Sequence, residues 1–248
     1  MRLKARAFTF FAFLLIGGRT EALVVTQEAT NDFIVLYSAG YFMSVDPHPN
    51  VLGTFAAPGL NQIGQGEALV MVAHGGTGEI GEEDGEMNGG QLATWLTNNN
   101  IPATPISVFL TSCQSGVGGA DSLAATAAAG SQSNLTFTGY LGCAIVNAPA
   151  GTVVVVQPEY EDEVAAIQQA LIDELNPQAQ IAAIIAEYQA SHSGASPPLA
   201  TLAQLAYQNV GIRDFFAQLI AASGAYFYAG AAGNVQYQGQ LAGLRRRL

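Results

Sequence analysis

Positively charged residues are scarce over most of this 248-residue chain. Between residues 23 and 244, a single cation, Arg213, stands against eighteen carboxylates, so this stretch carries a net charge of −17. A surface of that sign repels phosphate backbones, which argues against nucleic acid as a partner. It attracts cationic molecules, and a cationic substrate is one interpretation of the imbalance. The other interpretation is that the carboxylates only keep the surface soluble.

Metal-ligating and nucleophilic side chains are also few. Two cysteines, Cys113 and Cys143, cannot make a disulfide framework, and together with His48, His74 and His192 they show no spacing typical of a zinc site. The chain has no Gly-x-Ser-x-Gly segment, which disfavours a serine hydrolase. Phosphate-loop and dinucleotide fingerprints are missing from strand-to-helix contexts. We therefore expect neither a metal nor a cofactor.

Long hydrophobic runs are missing too, apart from a short one at the start of the chain. Residues 1–22 combine a basic start, an apolar stretch at 7–16 and small residues at positions 20 and 22, the layout of a secretory signal peptide. The apolar stretch is too short to span a bilayer. We expect secretion or export, without stable insertion into a membrane. In the alternative interpretation, residues 11–18 form the first strand of the core.

The order of the remaining patterns predicts the fold class. Half of the residues are hydrophobic, enough for one domain with a large core. Apolar runs rich in Val and Ile alternate with helical patterns up to residue 158, and from residue 159 the periodicity is helical. We expect an α/β fold, a three-layer sandwich with a mostly parallel sheet between helices. Its core spans residues 23–158, and the helical region 159–248 either packs on that core or forms a subdomain.

Individual elements follow from the same patterns. Residues 38–66 contain several Pro and Gly and are predicted to be mostly loop. The second predicted helix of the core begins after Asp121, a suitable N-cap. The predicted strands are residues 32–37, 68–73, 106–112, 135–140 and 152–156, with a closing pair within 224–243, and the predicted helices of the core are 91–98 and 122–129.

Two of these strands end in chemically reactive residues. The strand at 68–73 leads into His74, and the strand at 106–112 leads into Cys113. Because the carboxyl ends of parallel strands gather at one edge of a sheet, we expect the imidazole and the thiol to lie side by side. An imidazole beside a thiol is the minimum requirement for thiol-based nucleophilic catalysis. We expect the N–H groups of Gly75 and Cys113 to stabilise the oxyanion that such a reaction forms.

These residues resemble a known family, the caspase-like cysteine peptidases, which include caspases, metacaspases, legumains and the clostripain and gingipain types. Members carry an apolar strand that ends in His-Gly, a short helix, and a second apolar strand that ends in Ser-Cys. The resemblance covers about residues 30–156. The matching segments are Val70-Met71-Val72-Ala73-His74-Gly75-Gly76 and Val108-Phe109-Leu110-Thr111-Ser112-Cys113-Gln114-Ser115-Gly116, the latter similar to the Cys-x-Ser-Gly turn of metacaspases.

The resemblance implies an endopeptidase that hydrolyses protein or peptide substrates through a thioester, with no cofactor. His74 would be the general base and acid, Cys113 the nucleophile, and Gly75 an oxyanion donor. Members that prefer a basic residue before the scissile bond (P1) hold an acid in the pocket for that residue, and the candidates here are Asp46, Asp84 and Asp121. This chain departs from the family in two ways: residues 38–66 lack a clear helix, and Thr111 replaces the acid that metacaspases carry two residues before the nucleophile.

Other interpretations remain open. One is a catalytically inactive caspase-like module that binds a partner, and another is a structural α/β protein in which Cys113 is simply buried. If the strands at 106–112 and 135–140 are neighbours, Cys143 could lie near Cys113. An oxidative bridge between the two sulfurs would then mask the nucleophile.

Overall fold

A computed structural model describes residues 22–27, 30–45, 52–64, 66–81 and 86–241. The strands are β1 (Ala22–Thr26), β2 (Leu52–Thr54), β3 (Ala68–Val72), β4 (Gly75–Gly76), β5 (Glu79–Ile80), β6 (Met87–Asn88), β7 (Ile106–Thr111), β8 (Leu135–Tyr140), β9 (Ala144–Asn147), β10 (Thr152–Val155) and β11 (Asn234–Gln238). The α-helices are α1 (Phe33–Val45), α2 (Gly89–Asn98), α3 (Leu123–Ala129), α4 (Glu161–Leu175), α5 (Pro177–Ser191), α6 (Leu199–Gln208) and α7 (Val210–Ser223).

Six strands form the central sheet, in the order β11-β8-β7-β3-β1-β2. The five strands from β2 to β8 are mutually parallel, and β11 pairs antiparallel with β8 at the edge. Every residue of β1 and of β3 is buried. Strands covered on both faces are apolar throughout rather than alternating, which is why runs of Val, Leu and Met predicted a parallel sheet.

Helices cover both faces of this sheet, and successive residues of the central strands face opposite layers. In β3, Val70 packs in a core with α1, α4, α5, α6 and α7, whereas Leu69 and Met71 pack in a second core with α2 and α3. The protein is therefore a mixed α/β fold whose mostly parallel sheet is flanked by helices, as predicted.

The prediction of a strand at residues 32–37 was wrong, because this segment begins helix α1. The Asp32 carboxylate accepts the N–H groups of Ile34 and Val35 at 2.8 and 3.0 Å and so caps the first turn. Ten of the thirteen residues of α1 are buried. A helix buried on nearly all sides has no polar stripe, so a short apolar run from it cannot be told from a buried strand. Helix α1 also extends into residues 38–66, ending at Val45, and so supplies the helix that the family resemblance implies before His74.

Strand β1, which lies between β3 and the edge strand β2, was also missed. Its first residue, Ala22, is the last residue of the predicted signal peptide and pairs with Ala68 of β3. Residues 1–21 lie outside the described part of the chain, and so does the alternative strand at 11–18. Export therefore stays a prediction.

Among the described residues after 158 there are four α-helices, and all four share the core of α1. The predicted closing pair of strands within 224–243 is a single strand, β11, which joins the main sheet. Helix α3 is capped by Ser122, whose hydroxyl accepts the Ala125 N–H at 3.2 Å, and not by Asp121. Across the described ranges, no helix combines the length and the apolar character needed to cross a bilayer.

Candidate active site

The two reactive residues follow adjacent strands in the same register. In the β3–β7 pair, Val72 lies opposite Thr111, and two residues further along each strand come His74 and Cys113. Both strands run in the same direction, so both residues lie at the carboxyl edge of the sheet. This edge is where α/β folds place their ligand sites.

An acid that the sequence did not predict lies beside the histidine. One carboxylate oxygen of Asp32 is 3.3 Å from Nε2 of His74, and the two side chains are 33% and 29% exposed. Burial raises the pKa of Asp32, but the hydrogen bond and positive charge of His74 and the N–H groups of Val35 and Ile34 outweigh it and hold the pKa below its ordinary value. Asp32 therefore stays ionised and can orient the ring.

The environment of Cys113 favours the thiolate. The side chain is half-buried and unbridged. The largest effect on the pKa of Cys113 is a hydrogen bond with Cys143, which lowers it. Burial and the negative charge of Glu161 raise the pKa, whereas His74 and the Ala144 N–H lower it further. The net result is a lowered pKa. The same contact, together with burial, raises the pKa of Cys143. We read the pair as a Cys143 thiol that donates to the Cys113 sulfur.

Gly75 lies where no other residue fits. A Cβ on Gly75 would be 2.6 Å from the Glu79 carbonyl oxygen and 3.1 Å from the Ser112 Cβ. The Gly81 N–H donates to the His74 oxygen at 2.8 Å, so these two residues form a hydrogen-bonded pair at the end of the β4–β5 ribbon. Hydrogen-bonded and non-hydrogen-bonded pairs alternate in an antiparallel ribbon, so Gly75, the next residue, has its N–H pointing away from β5. This N–H is therefore available to a ligand, as the oxyanion role requires.

The second predicted oxyanion donor is the N–H of Cys113 itself. The N–H groups on either side of it are used, because Ser112 donates to Leu110 at 2.8 Å and Gln114 donates to Gly142 at 3.0 Å. Within the described ranges, the Cys113 N–H donates to no group. The backbone around the sulfur is thus held in place while this one donor remains available.

The side chain of Gln114 connects the segments around Cys113. Its φ of 55° lies in the left-handed region, which turns the chain sharply after Cys113. Its side-chain oxygen accepts the Thr77 hydroxyl at 2.8 Å, and its amide donates to Glu161. The β4–β5 ribbon, the turn after Cys113 and the start of α4 are therefore linked by one side chain.

Glu161, the first residue of α4, is a half-buried acid next to the thiols. One carboxylate oxygen accepts the Gln114 amide, and the other is buried with no hydrogen-bond partner among the described residues. Glu161 lies beside a chain neighbour of each cysteine, because it bonds Gln114, the residue after Cys113, and a Cβ on Gly142, the residue before Cys143, would lie 3.3 Å from its carboxylate. Its negative charge raises the pKa of both Cys113 and Cys143. A partner with a positive charge would satisfy the free oxygen.

The three acids that the sequence suggested for a substrate pocket have different outcomes. Asp46 and Asp84 lie outside the described residues. Asp121 is exposed, in a single turn at Gly119–Asp121, where its N–H donates to Gly118 at 3.2 Å. Glu161, which sequence reasoning missed, is the acid that the structure places next to the Cys113 turn, through its bond with Gln114. The only signal it left is an acidic run at the start of a helix, which is common for electrostatic reasons alone.

Within the described residues, no three His, Cys, Asp or Glu side chains come close enough together to hold a metal ion. Compared with known proteins, the chain matches no family model and no curated protein. Conclusions about its function therefore rest on the geometry of the site.

Proposed function

We propose that this protein is a cysteine endopeptidase in which Cys113 is the nucleophile and His74 the general base and acid. The observation that carries the proposal is the shared register of the two residues at the carboxyl edge of adjacent parallel strands. Asp32, ionised and 3.3 Å from the imidazole, supports it, since a carboxylate that orients the ring completes the usual arrangement of nucleophile, base and orienting group.

The residues fit each step of peptide-bond hydrolysis. The Cys113 sulfur attacks the scissile carbonyl, and the N–H groups of Gly75 and Cys113 donate to the oxygen that becomes negative. His74 passes a proton to the leaving amine, which departs as the C–N bond breaks and leaves a thioester. His74 then takes a proton from water, the resulting hydroxide attacks the thioester, and the acid product leaves as Cys113 recovers its thiol or thiolate.

The substrate class that the site favours is a peptide with Lys or Arg at P1. Glu161 places a half-buried carboxylate beside the Cys113 turn, with one oxygen that has no hydrogen-bond partner among the described residues, and a cationic P1 side chain would pair with this carboxylate. The acidic surface would attract such a substrate. A peptidase of this specificity would also spare itself, because Arg213 is the only cleavable residue between positions 23 and 244.

The family we propose is that of the caspase-like cysteine peptidases. The support is the paired His-Gly and Ser-Cys strand ends, now joined by a six-stranded, mostly parallel sheet between helices, as that resemblance implies. Helix α1 removes one of the two departures from the family pattern. Thr111 still stands where metacaspases carry an acid.

A peptide with a thiol-reactive warhead and Lys or Arg at P1 tests the proposal. It should label the wild-type protein at Cys113, and labelling should be lost in Cys113→Ala and strongly reduced in His74→Ala. The matched control is His192→Ala, which removes an exposed histidine far along the chain, directly after the end of α5, and should label normally. A folded wild-type protein that is not labelled, or is labelled equally at Cys143, would favour the inactive binding module or the structural protein instead.

A further inference from the structure

The backbone brings the two cysteines of the chain close together. The Gln114 N–H donates to the Gly142 oxygen at 3.0 Å, and the Gly116 N–H donates to the Tyr140 oxygen at 2.8 Å. These bonds align residues 113–116 antiparallel to residues 140–143. Cys113 and Cys143 are the residues next to the Gln114–Gly142 hydrogen bond, so the backbone places them side by side. A disulfide requires Cα atoms about 4.4–6.8 Å apart, and segments joined by backbone hydrogen bonds can meet that requirement.

The segment that carries Cys143 is held rigidly in this register. The Val156 N–H donates to the Cys143 oxygen at 2.9 Å. If Gly142, the residue before it, carried a Cβ, that atom would lie only 1.9 Å from the Val156 oxygen. The backbone around Cys143 and the backbone around Val156 are therefore in close contact. The backbone hydrogen bonds hold the two thiols side by side, each thiol shifts the pKa of the other, and both are half-buried, neither sealed in the core nor fully exposed. A small oxidant can reach them, and little backbone motion is needed to join them.

We infer that Cys113 and Cys143 are a peroxide-sensitive pair, in which Cys143 resolves an oxidised Cys113 into a reversible disulfide. In the first step, the Cys113 thiolate attacks one oxygen of a hydroperoxide; the O–O bond breaks, and the other oxygen leaves, after taking a proton, as water or alcohol. Cys113 is then a sulfenic acid. In the second step, the Cys143 sulfur attacks it, the S–O bond breaks, and the hydroxyl leaves as water with the Cys143 proton. Two electrons pass from the two thiols to the peroxide, and a thiol reductant restores both.

The assignment of roles follows from the surroundings of each sulfur. Cys113 lies near His74 and accepts the Ala144 N–H, both of which favour its thiolate, the form that attacks a peroxide. Cys143 keeps its proton and lies in contact with the sulfur that it must attack. The disulfide would consume the nucleophile and protect it from irreversible oxidation to the sulfinic acid. The inference goes beyond the proposed peptidase activity and does not depend on it.

The experiment follows the mass of the reduced, full-length protein after it is treated with hydrogen peroxide in small stoichiometric excess. The wild type should lose about 2 Da, without dimerising, and regain it with dithiothreitol. Digestion at aromatic residues, needed because basic residues are scarce, should yield a peptide that joins Cys113 to Cys143. The Cys143→Ser variant should instead gain about 16 Da, then about 32 Da, as Cys113 becomes sulfenic and then sulfinic acid.

The contrary outcomes are equally specific. The inference is overturned if the wild type forms sulfinic acid as fast as Cys143→Ser, or if the only disulfide formed links two protein molecules. Oxidation of Cys143 in Cys113→Ser at the wild-type rate would overturn the assignment of Cys113 as the attacking thiol. Because the central measurement is made on the wild type, it does not depend on whether a variant folds. It is also independent of peptidase activity, so a failure of the proposed function leaves it unchanged.

Discussion

Replacing Glu161 with Gln removes one negative charge from beside Cys113 while keeping the size of the side chain and its ability to accept the Gln114 amide. If Glu161 pairs with a cationic P1 side chain, the variant should lose activity selectively on Lys and Arg substrates. Two unit charges about 4 Å apart interact by about 4 kcal/mol at an effective dielectric constant of about 20. Glu161 is only half-buried, and halving this value for solvent screening leaves about 2 kcal/mol, or a ~30-fold loss in kcat/KM.

The assay compares two peptides that differ only at P1, one with arginine and one with its uncharged isostere citrulline. We expect kcat/KM for the arginine peptide to fall by about 30-fold and that for the citrulline peptide to change by less than about threefold. Glu163→Gln is the matched control, since Glu163 is an exposed acid in the same first turn of α4. It reproduces any loss of charge near the helix N-terminus without touching the site. An unchanged ratio between the two peptides in Glu161→Gln would refute the role of Glu161 in P1 recognition.

The same variant gives a second readout that does not require activity. The Glu161 charge raises the pKa of Cys113, so its removal should lower that pKa and move the pH profile of thiol alkylation to lower pH. The rate of iodoacetamide labelling at Cys113, followed from about pH 5 to 9, measures this shift. A profile that does not move would mean that Glu161 is not close to the sulfur, and the argument for the pocket would fail at its first step.

Three further predictions concern the histidine side of the site. Asp32→Asn should lower kcat by about 100-fold with little change in KM, because a charge no longer holds the ring of His74. The asparagine side chain can still cap α1. Equal kcat values would show that Asp32 does not position the ring. Since the folded-state pKa of Asp32 lies below 3.8, its contribution to stability is present above about pH 4 and is lost as the pH falls through the folded value. The free energy of unfolding, measured with urea, should therefore decrease more between pH 5 and pH 3 in the wild type than in Asp32→Asn. Equal decreases would contradict this. Gly75→Ala should reduce kcat/KM by more than about tenfold, since its Cβ would lie 2.6 Å from the Glu79 oxygen. Gly76→Ala is the control and should be close to wild type, because among the described residues that are not its chain neighbours the nearest atom to its Cβ would be 3.7 Å away. Equal activities in the two variants would refute the need for a bare backbone at Gly75.

The strands that carry His74 and Cys113 were predictable because a buried parallel strand is largely apolar and ends abruptly in Gly or polar residues. The segments at 68–73 and 106–112 have that composition and became β3 and β7. Helix α1 was not predictable in the same way. Its surroundings are apolar on nearly all sides, so its sequence lacks the polar stripe that marks a helix in contact with water.

Local sequence by itself determined that the segments ending before His74 and Cys113 are strands, and that an imidazole and a thiol follow them. It missed β1 and mistook the start of α1 for a strand. It could not determine what surrounds these two groups. Asp32, Cys143 and Glu161 come from a helix start, a turn and a second helix start, far from Cys113 along the chain, and only the tertiary structure brings them to one edge of the sheet. The physical reason is that charge and hydrogen bonding act through space over a few ångströms, whereas a sequence pattern records only what neighbouring residues do along a strand or helix.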